Sequence, residues 1–234
     1  MIENLPAYVP AFFILTTLVA AAFFFYAIID AAGNSKLRYV IPAIAACWMI
    51  LQVSLAKTGF YQITTAVPPR IFAFGALPAI VAVTAGCVIL RKRLVDRLSL
   101  RTLTMLHIVR VPVEITLYWL AADRLIPEAM TFTGRNFDIL SGLTAPLIYF
   151  VAFRGGRVNR PLLLVWNCVA LILLINIVTV AILSFPSPMQ LIALEQPNRA
   201  IVYFPFVWLP TVVVPIVFFA HLAAILKLSK SEAV

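Results

Sequence analysis

The chain has 234 residues, 63% of them hydrophobic and 12% charged, with a mean hydropathy of +1.04. A hydrocarbon core about 30 Å thick takes about 20 helical residues per crossing, which leaves room for roughly six to eight crossings and no appreciable extramembrane domain. The formal net charge of +9 is therefore read loop by loop and not as a nucleic-acid footprint, and two histidines with three cysteines exclude any three-histidine metal site or multi-cysteine cluster.

Apolar runs bounded by charges or Pro/Gly punctuation predict seven spans, at about residues 9–29, 37–56, 71–90, 102–122, 137–153, 161–184 and 203–226. The fold class is thus all-α, a polytopic membrane protein whose single transmembrane domain covers 1–234 and whose first partner is the lipid bilayer. A porin-like barrel would alternate polar and apolar residues, and this chain does not. The first span follows Glu3 with no basic segment before it, so it reads as a retained helix with Met1 near the mature N-terminus. Twelve Lys/Arg residues fall on one side, eight of them in the loops around residues 95 and 157, against five on the other. The basic side belongs in the cytoplasm, which places the N-terminus out and the C-terminus in.

Cys47, Cys87 and Cys168 fall inside the second, third and sixth spans and read as small packing residues. The fourth span carries His107, Arg110 and Glu114, spaced i, i+3 and i+7, with Tyr118 four further on, all on one helical stripe. Ionisable groups at the bilayer centre cost roughly 2.5–3.5 kcal/mol each, so this stripe must face protein or water and is a candidate site. Arg110 and Glu114 stand one turn apart and are expected to pair. The scaffold reading is that such a pair only orients helices. Pro112 between them frees the carbonyl of Ile108 and invites a kink.

At the outer mouth of the fifth span, Thr133, Gly134, Arg135, Asn136 and Asp138 precede a face of Ser141, Gly142, Ala145 and Tyr149, small enough in its first three residues for close helix packing. Thr133 or Asn136 can cap a helix, and Asp138 near its first turn suits the dipole. Arg135 does not; it needs Glu114 or Asp138 as partner, or a substrate anion. The segment 185–202 sets Met189, Leu191, Ile192 and Leu194 against Glu195, Gln196 and Asn198, as a lid or an interfacial strap.

His107 and His221 lie about five and six residues inward from the cytoplasmic ends of their spans, with Asn167 of the sixth span at the same level. Two imidazoles at one depth on separate helices could ligate haem or a metal. Pro205, Pro210 and Pro215 around Trp208 predict an irregular outer half of the last span, with carbonyls free to coordinate an ion or substrate.

The stretches Met130–Pro146, Gln196–Ala200 and Phe204–Pro215 resemble a family of uncharacterised bacterial seven-helix integral membrane proteins, over roughly half of the chain. The resemblance implies a bacterial inner membrane and supplies no activity. A retinal protein looks similar in helix count, but its Schiff base needs a lysine deep in the last helix, where this chain has only Lys227 at the end. Ceramidase-like hydrolases use several zinc-binding histidines, and rhomboid-like proteases a Gly-x-Ser-Gly where Ser141 here lies in LSGL. Sugar transporters of three-plus-one-plus-three plan are similar in length and orientation, but their fourth helix is a mere linker and this one is the most charged.

These readings converge on a non-enzymatic membrane protein that binds or transports a small polar or anionic solute through Arg110, Glu114, Tyr118, Arg135, Asn136 and Asp138. The alternative of a different class is a redox subunit carrying haem or a quinone on His107 and His221. A third is an accessory subunit, or a homo-oligomer, whose charges only assemble a larger complex.

Overall fold

Seven helices follow one another in the computed structural model, which describes residue 2 and residues 5–229; Met1, Glu3 and Lys230, used above for the N-terminal and loop-charge readings, lie outside the described residues. They are α1 (Tyr8–Ala32), α2 (Leu37–Lys57), α3 (Phe72–Ile89), α4 (Leu100–Ala122), α5 (Ile139–Ala152), α6 (Arg160–Leu183) and α7 (Leu209–Leu228). All but α5 are long and apolar enough to cross a membrane. Their length, uniform apolarity and number make the chain a multi-pass membrane protein in contact with lipid. α5 has 14 residues and starts two later than expected, and α7 starts at Leu209 instead of near 203. The prolines explain the second shift: the stretch before α7 carries Pro205, and α7 itself opens with the wide π-turns Leu209–Val213 around Pro210.

Local signals set the helix ends on the basic side. Ser99 Oγ accepts from the Thr102 amide at 3.3 Å to start α4, and Asn159 Oδ1 accepts from the Leu162 amide at 3.1 Å, with Pro161 following, to start α6. At the other end of α7, Arg91 Nη2 donates to the Leu226 carbonyl and Arg160 Nη2 to that of Leu228, both at 3.0 Å. Lys227 Nζ reaches the Leu98 carbonyl at 2.6 Å. Cations at a helix C-terminus satisfy its last carbonyls and complement its dipole, so the basic residues here are structural as well as topological.

α7 is the most enclosed helix, packed against α1, α3, α4 and α6, while α2 and α3 turn most of their surface outward. α3 also opens with π-turns, Phe72–Ala76, and these meet the π-turns of α7. Gly75 makes that approach possible: a Cβ there would stand 2.7 Å from Thr211 Cγ2. α5 lies on α4 as closely. A Cβ on Gly142 would stand 2.8 Å from Val111 Cγ2 and 3.0 Å from the Val111 amide nitrogen, and Ser141 and Ala145 beside it are buried. The small-residue face was expected, and its task is to bring the start of α5 against the middle of α4.

Candidate functional site

Helix α4 changes pitch at the charged stripe. His107–Val109 form a single 3₁₀ turn, and the α-helix resumes at Arg110, two residues before Pro112. Arg110, only 2% exposed, enters the bundle there and reaches across to Asp138, 28 residues downstream. Its Nε donates to Asp138 Oδ2 at 2.7 Å and its Nη2 to Asp138 Oδ1, a bidentate ion pair. Nη2 also donates to the Ala170 carbonyl at 3.1 Å, and Nη1 donates to His221 Nε2 at 3.1 Å. Four of the five N–H groups of the guanidinium are thus engaged by protein.

That geometry fixes the state of His221. With Nε2 accepting from Arg110, its proton sits on Nδ1 and is donated to Asn167 Oδ1 at 2.9 Å, while Asn167 Nδ2 donates to the Leu163 carbonyl at 2.8 Å. His107 lies face to face with His221, ring centroids 3.9 Å apart at 21°, and edge-on to Trp166 at 5.3 Å. Both ring nitrogens of His107 are buried with no hydrogen-bond partner among the described residues.

On the other side of the ion pair, Asn136 organises the two carboxyl groups. Its Nδ2 donates to Glu114 Oε1 and, at 3.0 Å, to the Met130 carbonyl; its Oδ1 accepts from the Asp138 amide at 3.0 Å. Glu114 Oε2 and Ser141 Oγ are buried with no hydrogen-bond partner among the described residues. Arg110, Glu114 and Asp138 form one wall of a cavity of about 450 Å³ between α3, α4, α6 and α7. The rest of the lining is almost wholly apolar, with Leu117, Met130, Leu174, Ile177 and Val217 among it.

The expected residues divide accordingly. His107, Arg110, Glu114, Asn136, Asp138, His221 and Asn167 come together. The expected ion pair of Arg110 with Glu114 does not form, because Asp138 takes the fork of the guanidinium and Asn136 takes Glu114. Arg135 is exposed and forms no ion pair among the described residues; its carbonyl accepts from Asn176 Nδ2 at 2.9 Å. Tyr118 is 45% exposed and stacks on Phe132 of the following loop at 5.4 Å. At 3.6 residues per turn it lies about 40° further round the helix than Glu114, away from the centre. Neither Thr133 nor Asn136 caps α5 by a side-chain bond: Asp138 holds that position, and its carboxylate serves Arg110.

The two histidines do not suit haem. A porphyrin would have to lie between their rings with one nitrogen of each aimed at the iron, whereas these rings stack on each other, and both nitrogens of His221 are committed. In the irregular start of α7 the carbonyl of Thr211 accepts from Trp48 Nε1 at 2.9 Å. The 185–202 segment is a strap: Gln196 Nε2 donates to the carbonyls of Ala121 and Ile126, at 3.0 and 2.6 Å, and buried Asn198 donates to that of Ala181 at 3.3 Å. Sequence reasoning missed a second polar group, in which Tyr61 donates to buried Gln52 Oε1 at 2.5 Å and burial pushes its hydroxyl up to about 12. A glutamine inside an apolar span, five residues from the end of α2, was the available signal.

Residues 68–229 match a family described as a domain of unknown function, DUF8737, and this region contains every residue of the polar centre. No curated protein and no solved structure matches the chain.

Proposed function

The chain belongs to this family, whose description assigns no activity, and we propose from the site itself that it binds or transports a small polar solute at the centre built by Arg110, Glu114, Asn136 and Asp138. One observation carries the reading: a buried ion pair stands at the wall of a cavity of about 450 Å³ in a membrane-spanning bundle. A buried pair contributes little net stability compared with apolar packing, and its place at a cavity wall supports a role in binding. Polar solutes suit the site better than anionic ones, because the guanidinium is already engaged by Asp138, Ala170 and His221. The same proposal sets this centre in a seven-crossing chain in a bacterial inner membrane, N-terminus out and C-terminus in, with Arg135 at the outer approach. The twelve-to-five distribution of Lys and Arg and the bacterial resemblance support it.

The test is to replace both charges at once, by Arg110→Met with Asp138→Leu, and to compare copurifying small molecules by mass spectrometry of protein in nanodiscs. The double variant is expected to fold with normal yield and to lose the bound molecule. Normal yield with undiminished binding would overturn the proposal in favour of an accessory subunit whose charges only assemble a larger complex.

A further inference from the structure

The cavity has a roof and an open side, and the two have different chemistry. Toward the outer loops it is closed by Met130 and Ile201, both buried. Between α3 and α6 its lining includes Leu77 and Ile175, which are 57% and 55% exposed. Leu77 lies five residues from the outer end of α3 and Ile175 eight from that of α6, depths of about 8 and 12 Å. Both depths fall inside a hydrocarbon core about 30 Å thick, so the open side faces acyl chains and not water. A solute arriving there has already partitioned into the bilayer.

The inner wall makes the complementary selection. It holds one guanidinium, already committed, and two carboxyl groups, so acidic groups exceed cations by one. The unengaged acceptor is Glu114 Oε2, on a side chain held through Oε1 by Asn136 and only 1% exposed. A buried acceptor left without a donor is costly, and a ligand N–H or O–H would relieve it. An anionic head would meet two carboxyl groups instead.

Resting on the binding reading above, and taking its polar group to be the head of an amphiphile, we propose that the ligand is a lipid-soluble molecule with an apolar body and a hydrogen-bond-donating head, an amine or a hydroxyl, which enters sideways between α3 and α6 and donates to Glu114. The apolar lining takes the body, and the Asn136-held carboxyl takes the head. The Arg110–Asp138 pair fixes the wall and does not receive the ligand's charge.

The probe is a long-chain alkylamine bearing a photoreactive diazirine in its chain, added to the full-length protein in phosphatidylcholine vesicles. Cross-links are expected on α3 and α6, near Leu77 and Ile175. An unlabelled long-chain alcohol should compete, methylammonium should not, and a fatty-acid probe of equal chain length should label far less. Glu114→Gln keeps the acceptor for Asn136 but removes the carboxylate, and should weaken amine labelling about tenfold. Ala76→Phe, in the outer part of α3 at the cavity, should reduce labelling by blocking entry. Equal labelling by the fatty acid, equal competition by methylammonium, or undiminished labelling in a folded Glu114→Gln protein would each overturn the proposal. The wild-type series decides even if a variant fails to fold. A bound water-soluble solute that is lost from the Arg110→Met/Asp138→Leu protein but insensitive to Ala76→Phe would overturn the lateral route and leave the binding reading standing; undiminished binding in the double variant would remove the binding reading itself.

Discussion

His221 is neutral by its hydrogen bonds and not by its surroundings alone: it accepts from Arg110 on one nitrogen and donates to Asn167 from the other. Asn167→Leu removes that acceptor and leaves a buried N–H unpaired, which costs about 1–3 kcal/mol. We expect a lower Tm for the purified variant; an unchanged Tm would show that Asn167 does not hold the ring. The membership of this cluster was legible in the sequence, because His107, Arg110, Glu114 and Asp138 break apolar runs that lipid does not tolerate being broken. Its pairing was not. Glu114 is one turn from Arg110, but local spacing is blind to a carboxylate 28 residues away that can accept both prongs of the guanidinium. Arg135 stands apart from the centre for the related reason that its neighbours in sequence, Asn136 and Asp138, turn inward while it remains at the surface, without, among the described residues, the carboxylate partner that its position suggested.

Among the helices, α4 and α5 make the centre together, and the contact between them is narrow. Gly142 faces Val111 so closely that an added methyl meets both its side chain and its backbone nitrogen. Gly142→Ala is expected to cost about 1–3 kcal/mol through overpacking and to loosen the Arg110–Asp138 pair, read as a reduced Tm. A variant as stable as the wild type would show that α5 can shift without penalty. The small-residue face predicted this proximity, and Pro112 predicted the irregularity that appears as the His107–Val109 turn. The irregular start of α7 was legible from its prolines, whereas its meeting with the π-turns of α3 was not, since that contact depends on Gly75 lying between two helix starts far apart in sequence.

For the molecule as a whole, reporter fusions at residues 95 and 157 should report the cytoplasm and one at residue 195 the opposite side; a reversed pattern would overturn the proposed orientation. Hydropathy made the number and order of helices legible, because each long apolar run must bury its backbone polarity within itself. The short α5 is where that rule stops being informative. Its 14 residues span about 21 Å, roughly 9 Å less than a typical hydrocarbon core, and Asn136 just before it bonds to Glu114, about 12 Å from the C-terminal end of α4. Irregular backbone at that depth is tolerable because its amides are bonded internally, Arg135 to the Ala129 carbonyl, Asn136 to the Thr131 carbonyl and Asp138 to Asn136 Oδ1. The consequence is mechanical: in the proposed seven-crossing arrangement the polar centre hangs from a helix that matches only a thin bilayer, so a thicker one is expected to pull on the Asn136–Asp138 turn, and acyl-chain length becomes a control on the site without any ligand touching it.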